Sequence, residues 1–243
     1  MSGTTPPGAR TEQDAAAWVR AMFGRVAPRY DLLNHLLSFN IDRYWRARTT
    51  SAVAAILDRP DAVTLDLCCG TGDLTLALQR RAAHRVYGSD FCHPMLVAAR
   101  GKIAAKRARS AAFESDALQL PVADRSLDLV TAAFGFRNLA SYERGIAEMF
   151  RVLRPGGMAA ILEFSTPPNF LFRAAYGIYS TKVLPVIGGL ISGSRDAYTY
   201  LPESVRKFPG AEELARQMRT AGFQSVEFRR MTGGIVALHL ARV

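Results

Sequence analysis

From Val63 onward, short apolar or β-branched runs alternate regularly with segments of helical periodicity. The runs predict strands at 63–67, 85–89, 111–115, 127–133, 158–164, 224–230 and 235–242. Such alternation indicates a parallel sheet flanked by helices. Only a few residues, MTGGI, separate the last two runs, which predicts an antiparallel hairpin. We therefore expect an α/β fold with a seven-stranded, mostly parallel sheet that ends in this hairpin.

Two segments lie outside the alternation and define the expected domain organisation. A helical N-terminal segment covers about 14–57, and an inserted region covers about 167–209. Both are rich in aromatic residues and could cover a site, the second as a lid. A chain of 243 residues that is 49% hydrophobic can bury one sizeable core. We therefore expect a single domain over 14–243 and a disordered tail over 1–13.

The charge and the cysteines limit the class of protein. Lys and Arg number 31 against 21 Asp and Glu, and a net charge of +10 favours an anionic partner such as RNA, an anionic lipid surface or a phosphorylated substrate. Cys68, Cys69 and Cys92 form no C-x-x-C pair, so we expect no metal site. The start of the chain lacks a signal-peptide core, and the apolar stretch 183–192 is half of the ~20 residues that a spanning helix needs. A cytoplasmic protein is expected.

The string LDLCCGTGDLT, residues 65–75, predicts a nucleoside site at the end of the first strand. The turn Gly70-Thr71-Gly72 needs glycines because it is tight and a ligand must approach its backbone. Asp90 ends the second strand, eighteen residues after Gly72, where a carboxylate can accept hydrogen bonds from ribose hydroxyls. Asp116 and Ala117 follow the third strand and could meet an adenine edge. For each acid alone, the alternative is an ordinary cap of a turn.

The acids around the turn select among nucleoside cofactors. The third glycine of a pyrophosphate-binding G-x-G-x-x-G is absent, and Asp73 at the start of the helix would repel a pyrophosphate. A cofactor that carries an ammonium and a sulfonium would be favoured by Asp66 and Asp73. The pattern therefore predicts S-adenosylmethionine rather than NAD. Cys68 and Cys69 are interpreted as packing residues beneath the ligand.

Four further segments make the interpretation specific. They are YDLLNHLLSFNIDRYW at 30–45, AFGFRN at 133–138, RVLRPGGMAAILEFS at 151–165 and SGSRDAYTYLPESVRKFP at 192–209. Each resembles a motif of the ubiquinone/menaquinone C-methyltransferase family, and the resemblance runs from about Phe23 to the C-terminus. It implies a class I methyltransferase-like Rossmann fold in which Thr71, Asp90, Asp116 and Ala117 contact S-adenosylmethionine. The chain departs from the family pattern at four positions, namely Leu33, Asp42, Ala133 and Arg154.

The resemblance also implies the reaction, which is methylation of a ring carbon of a reduced, prenylated quinol. Demethylmenaquinol is the preferred substrate, and the benzoquinol precursor of ubiquinone is the alternative. Arg137 and Asn138, after the fourth strand, are the candidate catalytic residues, because a guanidinium could stabilise the phenolate of the acceptor. His239 could serve as a base, but its place in the strand IVALHL is more typical of a core histidine.

The expected partners follow from these assignments. The apolar stretch that starts at Phe170 and includes Tyr176, Tyr179 and Leu184 carries Arg173 and Lys182, which suits either a membrane-facing lid or a helix packed inward. We expect peripheral contact with an anionic membrane at the inner face of the cell membrane. No nucleic acid is expected, although an RNA methyltransferase and a catalytically silent scaffold stay as alternative hypotheses. The sequence leaves a homo-oligomer open.

Overall fold

The computed structural model describes residues 3–183 and 195–243. Four helices precede the sheet: α1 (Glu12–Val26), α2 (Tyr30–Leu37), α3 (Ile41–Ala52) and α4 (Ala54–Leu57). The strands are β1 (Thr64–Leu67), β2 (Val86–Asp90), β3 (Ala111–Glu114), β4 (Leu127–Ala133), β5 (Leu153–Phe164), β6 (Ser225–Met231) and β7 (Val236–Arg242). The other helices are α5 (Asp73–Gln79), α6 (His93–Ala105), α7 (Tyr142–Val152), α8 (Phe170–Ile178), α9 (Arg195–Lys207) and α10 (Ala211–Thr220).

The strands form one seven-stranded sheet in the order β3-β2-β1-β4-β5-β7-β6. Strands β1 to β5 pair in parallel, and β7 is antiparallel to both of its neighbours, β5 and β6. The predicted sheet and its C-terminal hairpin are confirmed. The hairpin pairs with the sheet through its last strand, β7, which lies between β5 and β6. The carboxyl ends of β1, β2 and β4 meet at one edge, where such sheets bind ligands.

The predicted strand bounds lie within one residue of the observed ones except at β5, which begins at Leu153 rather than at 158. Helix α7 ends at Val152, and the register against β4 shifts between the pairs Leu127–Leu153 and Leu129–Met158. The intervening Pro155-Gly156-Gly157 is thus an irregular part of the strand. Gly156 has a φ of +80°, which accounts for the glycine at this position.

Alternating residues of the central strands build a core on each face of the sheet. On one face, Leu65, Val130 and Ile161 pack with residues of α7 and α10. On the other face, Leu129 and Leu162 pack with residues of the N-terminal helices and α5. Because each strand buries both faces, the central strands are apolar nearly throughout. A charged side chain within them therefore needs a partner.

Two residues of the segment 1–13, which the sequence predicts to be a tail, make defined contacts. Helix α1 begins at Glu12, where Thr11 accepts a hydrogen bond from Asp14 N and Asp14 accepts one from Thr11 N, at 3.1 and 3.0 Å. Thr4 is buried, and its N–H donates to Leu139 O at 2.8 Å. The capping pattern T-x-x-D at 11–14 could have located the helix start from the sequence. Part of the expected tail is therefore held against the domain.

The inserted region is helical where the structure describes it. Helix α8 has no buried residue, and a π-helical turn, Tyr179–Val183, follows it. Leu184, which the sequence placed in the apolar stretch, lies outside the described residues. Among the described residues, no helix combines the length and the apolar character needed to cross a bilayer.

Candidate active site

The loop between β1 and α5 has the backbone conformation expected of a ligand-binding turn. Gly70 and Gly72 have φ values of +55° and +83°, and Cys68 has a φ of +52°. A Cβ on Gly72 would lie 3.3 Å from Ala99 Cβ, so a larger residue would press against α6. The turn lines a cavity together with residues from the ends of β2 and β4. The predicted cofactor turn thus lies at the edge of the sheet where it was expected.

Asp66 contributes a buried carboxylate to this cavity. It accepts hydrogen bonds from Thr75 Oγ1 at 2.6 Å and from Thr131 Oγ1 at 2.8 Å. Burial raises the pKa of Asp66 to about 6, although these two hydrogen bonds act in the opposite direction. Since burial disfavours the ionised carboxyl, a cationic ligand beside Asp66 would restore the charged form.

Asp90 ends β2 and holds the loop in place. Its Oδ2 accepts from Gly70 N at 2.8 Å, and its Oδ1 accepts from Cys92 N at 2.9 Å. Burial raises the pKa of Asp90, and the backbone hydrogen bonds lower it. An ionised carboxylate has about four acceptor positions. Asp90 can therefore hold the loop and still accept a hydrogen bond from a ribose hydroxyl.

Thr71 and Asp73 are engaged in a polar network that includes the helix α2. Thr71 Oγ1 donates to Asp31 Oδ1, and Lys102 Nζ donates to Thr71 Oγ1 at 3.1 Å and to Asp73 Oδ1 at 2.6 Å. Arg46 Nη2 lies 3.9 Å from Asp73 Oδ2. Both predicted residues line the cavity, but cations already neutralise Asp73. Asp66 is therefore the better candidate to receive a positively charged part of a cofactor.

The same network contains three potential metal ligands, His35, Asp42 and Asp73, whose ligand atoms lie within 4.8 Å of one another. Arg46 pairs with Asp42, and Lys102 pairs with Asp73. Their positive charges occupy the carboxylates that a metal ion would need, so the cluster is explained as an ion-pair network.

The two predicted adenine-edge residues occupy different environments. Ala117 is buried and lines the cavity. Asp116 is exposed and is not among the residues that line the cavity, and its Oδ1 accepts from Leu118 N at 2.8 Å. Its carboxylate thus caps its own turn, which was the alternative interpretation of this acid. Ser115, which sequence reasoning missed, lines the cavity instead.

A second cavity of about 300 Å³ adjoins the first. The two cavities share Tyr30, Arg46 and Phe134, which form the wall between them. Aromatic rings line much of the second cavity: Trp45, Phe134, Phe164, Tyr176 and Tyr179. The ring centroids of Phe134 and Phe164 are 4.9 Å apart, and those of Trp45 and Phe134 are 5.7 Å apart. This arrangement suits a flat, apolar ring placed next to the cofactor cavity.

Arg137 lines the second cavity and is paired with a residue that the sequence did not single out. Its Nη1 donates to Glu163 Oε1 at 3.0 Å and to Phe134 O, and its Nε donates to Ser204 Oγ at 3.3 Å. The side chain of Glu163 is 1% exposed. The glutamate stands inside the apolar run AAILEF, and a buried acid in such a strand is the signal that could have predicted an ion pair.

Asn138 lies on the side of the same turn that faces the first cavity. It lines the first cavity, and its Oδ1 accepts from Tyr200 OH at 3.1 Å. Tyr200 OH also contacts Thr4 Oγ1 at 2.6 Å. The predicted catalytic pair is therefore divided, with Arg137 facing the second cavity and Asn138 facing the first.

The remaining candidate nucleophiles and bases lie in environments that suit packing. Burial raises the pKa of Cys68 and of Cys69 well above the usual range of a thiol, with a further contribution from Asp90. His239 is buried between Phe228 and Ala211, and its Nε2 donates to Ala211 O at 2.8 Å. Burial lowers the pKa of His239. The histidine lines neither of the two cavities, as expected of a core residue.

The geometry agrees with the comparisons to known proteins. Residues 10–242 match the model of the ubiE/COQ5 methyltransferase family. The chain belongs to this family. It is 50% identical to a demethylmenaquinone methyltransferase of Thermus thermophilus, over 90% of this chain and 98% of that protein. It is 43% identical to a ubiquinone/menaquinone biosynthesis C-methyltransferase UbiE of Geobacter sulfurreducens, over 91% of this chain and 86% of that protein. The predictions of a methyltransferase and of S-adenosylmethionine as its cofactor are confirmed.

Solved structures confirm the fold. The [4+2]-cyclase SpnF matches all of this chain and 98% of its own, with a TM-score of 0.68 and 19% identity. A methyltransferase of Thermotoga maritima, described as a possible histamine N-methyltransferase, matches 91% of this chain and 98% of its own, with a TM-score of 0.64 and 19% identity. Because the same fold serves a cyclase, the reaction must be argued from the site.

The pKa of Asp66 leads to a testable pH dependence of cofactor binding. If the ionised carboxylate attracts the cationic cofactor, affinity should rise with pH through about 6, the pKa of Asp66. Below that pH, affinity should fall by up to about tenfold per pH unit. Calorimetric titrations with S-adenosylmethionine between pH 5 and 7.5 measure this, and Asp66→Asn should lack the step. A parental affinity that stays constant over this range would contradict the role of Asp66.

Proposed function

We propose that this protein methylates a ring carbon of a reduced, prenylated naphthoquinol, converting demethylmenaquinol to menaquinol. The observation that carries the proposal is the aromatic cavity of about 300 Å³ that adjoins the cofactor cavity and shares Tyr30, Arg46 and Phe134 with it. A ring bound there would lie next to the cofactor. The names of relatives at 44–50% identity support this acceptor.

Gly70, Gly72, Asp90 and Ala117 are the residues that would hold S-adenosylmethionine, with Asp66 beneath it and Thr71 in the supporting network. The donor set fits such a group, because Asp66 and Asp90 offer buried carboxylate oxygens and the glycines keep the backbone accessible. The cofactor supplies an electrophilic methyl group on a sulfonium. What this chain must add is a nucleophilic ring carbon in line with that methyl group.

A quinol ring becomes nucleophilic at carbon when its hydroxyl loses a proton. The new carbon–carbon bond forms as the carbon–sulfur bond breaks, the sulfur keeps the electron pair, and the ring carbon then releases its proton to restore aromaticity. The geometry of Arg137 supports a role in stabilising the phenolate, because the hydrogen bonds of the described residues engage its Nη1 and Nε and none of them engages Nη2. Because Glu163 balances the charge, the stabilisation comes from directed N–H groups rather than from a free cation.

The two candidate acceptors differ in their ring system, because a naphthoquinol has two fused rings and a benzoquinol has one. Relatives described as ubiquinone/menaquinone C-methyltransferases keep the benzoquinol precursor of ubiquinone as the second candidate. The wall formed by Trp45, Phe134 and Phe164 offers a broad apolar surface, which favours the bicyclic acceptor. We also propose that the protein works at the inner face of the cell membrane, where a prenylated acceptor resides.

Incubation with radiolabelled S-adenosylmethionine tests the proposal. Reduced demethylmenaquinone should become labelled, a reduced demethylated benzoquinone should be labelled more slowly, and total RNA should stay unlabelled. Phe134→Ala is a useful comparison, because it removes part of the wall shared by the two cavities and should lower labelling of the quinol. Labelled RNA together with an inert quinol would contradict the proposal, and so would faster labelling of the benzoquinol.

A further inference from the structure

The turn between α2 and α3 projects large apolar side chains into solvent. Phe39 is 73% exposed, Leu36 47% and Ile41 37%. Phe39 and Asn40 have φ values of +52° and +59°, a conformation that is uncommon for a bulky residue such as phenylalanine. Single exposed apolar residues are ordinary, but a cluster of them marks a contact surface.

Helix α8 adds to the same surface. Leu171 and Ile178, seven residues apart and therefore on one face of the helix, are 65% and 58% exposed. The two segments touch at Tyr179, whose hydroxyl donates to Leu37 O at 3.0 Å and whose ring centroid lies 6.3 Å from that of Phe39. We call Leu36, Phe39, Ile41, Leu171 and Ile178 the apolar rim.

Part of the apolar rim borders the mouth of the aromatic cavity. Phe39 and Ile41 line that cavity and are also exposed, so they mark where it opens to solvent. Its volume of about 300 Å³ is at the small end for pockets that hold drug-sized ligands. It has room for a bicyclic ring and little room for a polyprenyl chain. A chain attached to a bound ring therefore has an exit beside Phe39 and Ile41.

The charges beside the rim are positive. In the described parts of 29–48 and 167–183, the two acids, Asp31 and Asp42, are paired with Lys102 and Arg46. Exposed Arg43, Arg173 and Lys182 have no ion pair among the described residues. An apolar surface with unpaired cations beside it complements a bilayer with anionic headgroups, because apolar side chains enter the interface while cations meet the lipid charge.

We infer that the apolar rim docks on the surface of an anionic lipid bilayer, so that the prenyl chain stays in the lipid while the ring enters the aromatic cavity. This inference rests on the proposed function for the identity of the acceptor. The rim itself is defined by the exposure, charge and position of its residues. Docking leaves the prenyl chain of the acceptor in the bilayer. If the acceptor were extracted instead, each CH₂ group of that chain that moved from lipid into water would weaken binding.

Vesicle flotation tests the inference with the double variant Leu36→Gln/Leu171→Gln, which changes rim residues that do not line the cavity. Vesicles contain phosphatidylcholine alone or a mixture with phosphatidylglycerol. The parent should bind the mixed vesicles, and the double variant should bind them at least about tenfold more weakly. The matched control is Val97→Gln, an exposed apolar residue of α6 that lines neither cavity, and it should bind like the parent.

Activity separates docking from catalysis. The double variant should methylate a ring-only, water-soluble demethylnaphthoquinol at the parental rate and a long-chain acceptor in vesicles much more slowly. Vesicle binding within twofold of the parent would overturn the inference. Light scattering gives the oligomeric state of both proteins. If the parent were a dimer, the double variant a monomer and their vesicle binding equal, the inference would also be overturned, because the rim would then join two subunits. If the parent bound vesicles but left every quinol unmethylated, the proposed function would fail and docking would stand.

Discussion

Replacement of Arg137 by methionine is expected to lower the rate of methyl transfer by about 10²–10³, with little change in cofactor affinity. Arg137 lines the aromatic cavity that we propose for the acceptor, and loss of one preorganised donor to a developing oxyanion typically has an effect of this size. Methionine keeps much of the apolar stem, so packing changes little. Single-turnover methyl transfer and calorimetric titration of S-adenosylmethionine, on the same folded preparation, measure the two quantities.

The ion pair requires a control for folding. Arg137→Met leaves Glu163 buried without its cation, so the single variant should also lose stability. The double variant Arg137→Met/Glu163→Gln removes the unpaired charge, and it should recover stability while it stays slow. A rate for the folded double variant within about threefold of the parent would mean that Arg137 serves only the structure.

The second large effect is expected at Glu163 itself. Glu163→Ala leaves the guanidinium of Arg137 buried and uncompensated, and breaking a buried pair in this way costs about 3–5 kcal/mol. Urea unfolding measures the free energy of unfolding. The matched control is Glu227→Ala, which removes an exposed pair with Arg229 and should change stability by roughly 0.2–1 kcal/mol. A loss below about 1 kcal/mol for Glu163→Ala would show that Arg137 finds another partner.

The sheet and the cofactor turn were predictable because their signals are local. The alternation after Val63 gave the seven strands, and the glycines at 70 and 72 occupy the left-handed backbone conformation that the turn requires. Asp90 lies where the end of a second parallel strand must lie. Each of these depends on spacing along the chain, which the sequence displays directly.

The rest of the site depends on side chains that meet across the fold. Glu163 pairs with Arg137, 26 residues earlier in the chain, and Thr4 reaches Tyr200, 196 residues away. The sequence around Glu163 or around Thr4 gives no indication of the partner that each residue contacts. Asp116 shows the opposite case, because its position suggested a cofactor contact while its carboxylate caps the adjacent turn. The wall that joins the two cavities combines α2, α3 and the turn after β4, so it became visible only in the folded chain.

The position of the transferred methyl group distinguishes methylation of a ring carbon from methylation of an oxygen. Purified protein is incubated with ¹³C-methyl S-adenosylmethionine and demethylmenaquinone, with and without a reductant, and the product is analysed by NMR. Transfer to a ring carbon of a quinol predicts a ¹³C resonance of a methyl group on an aromatic carbon, formed only when the quinone is reduced. A methoxy resonance, or an equal yield of product without the reductant, would contradict methylation of a quinol at carbon.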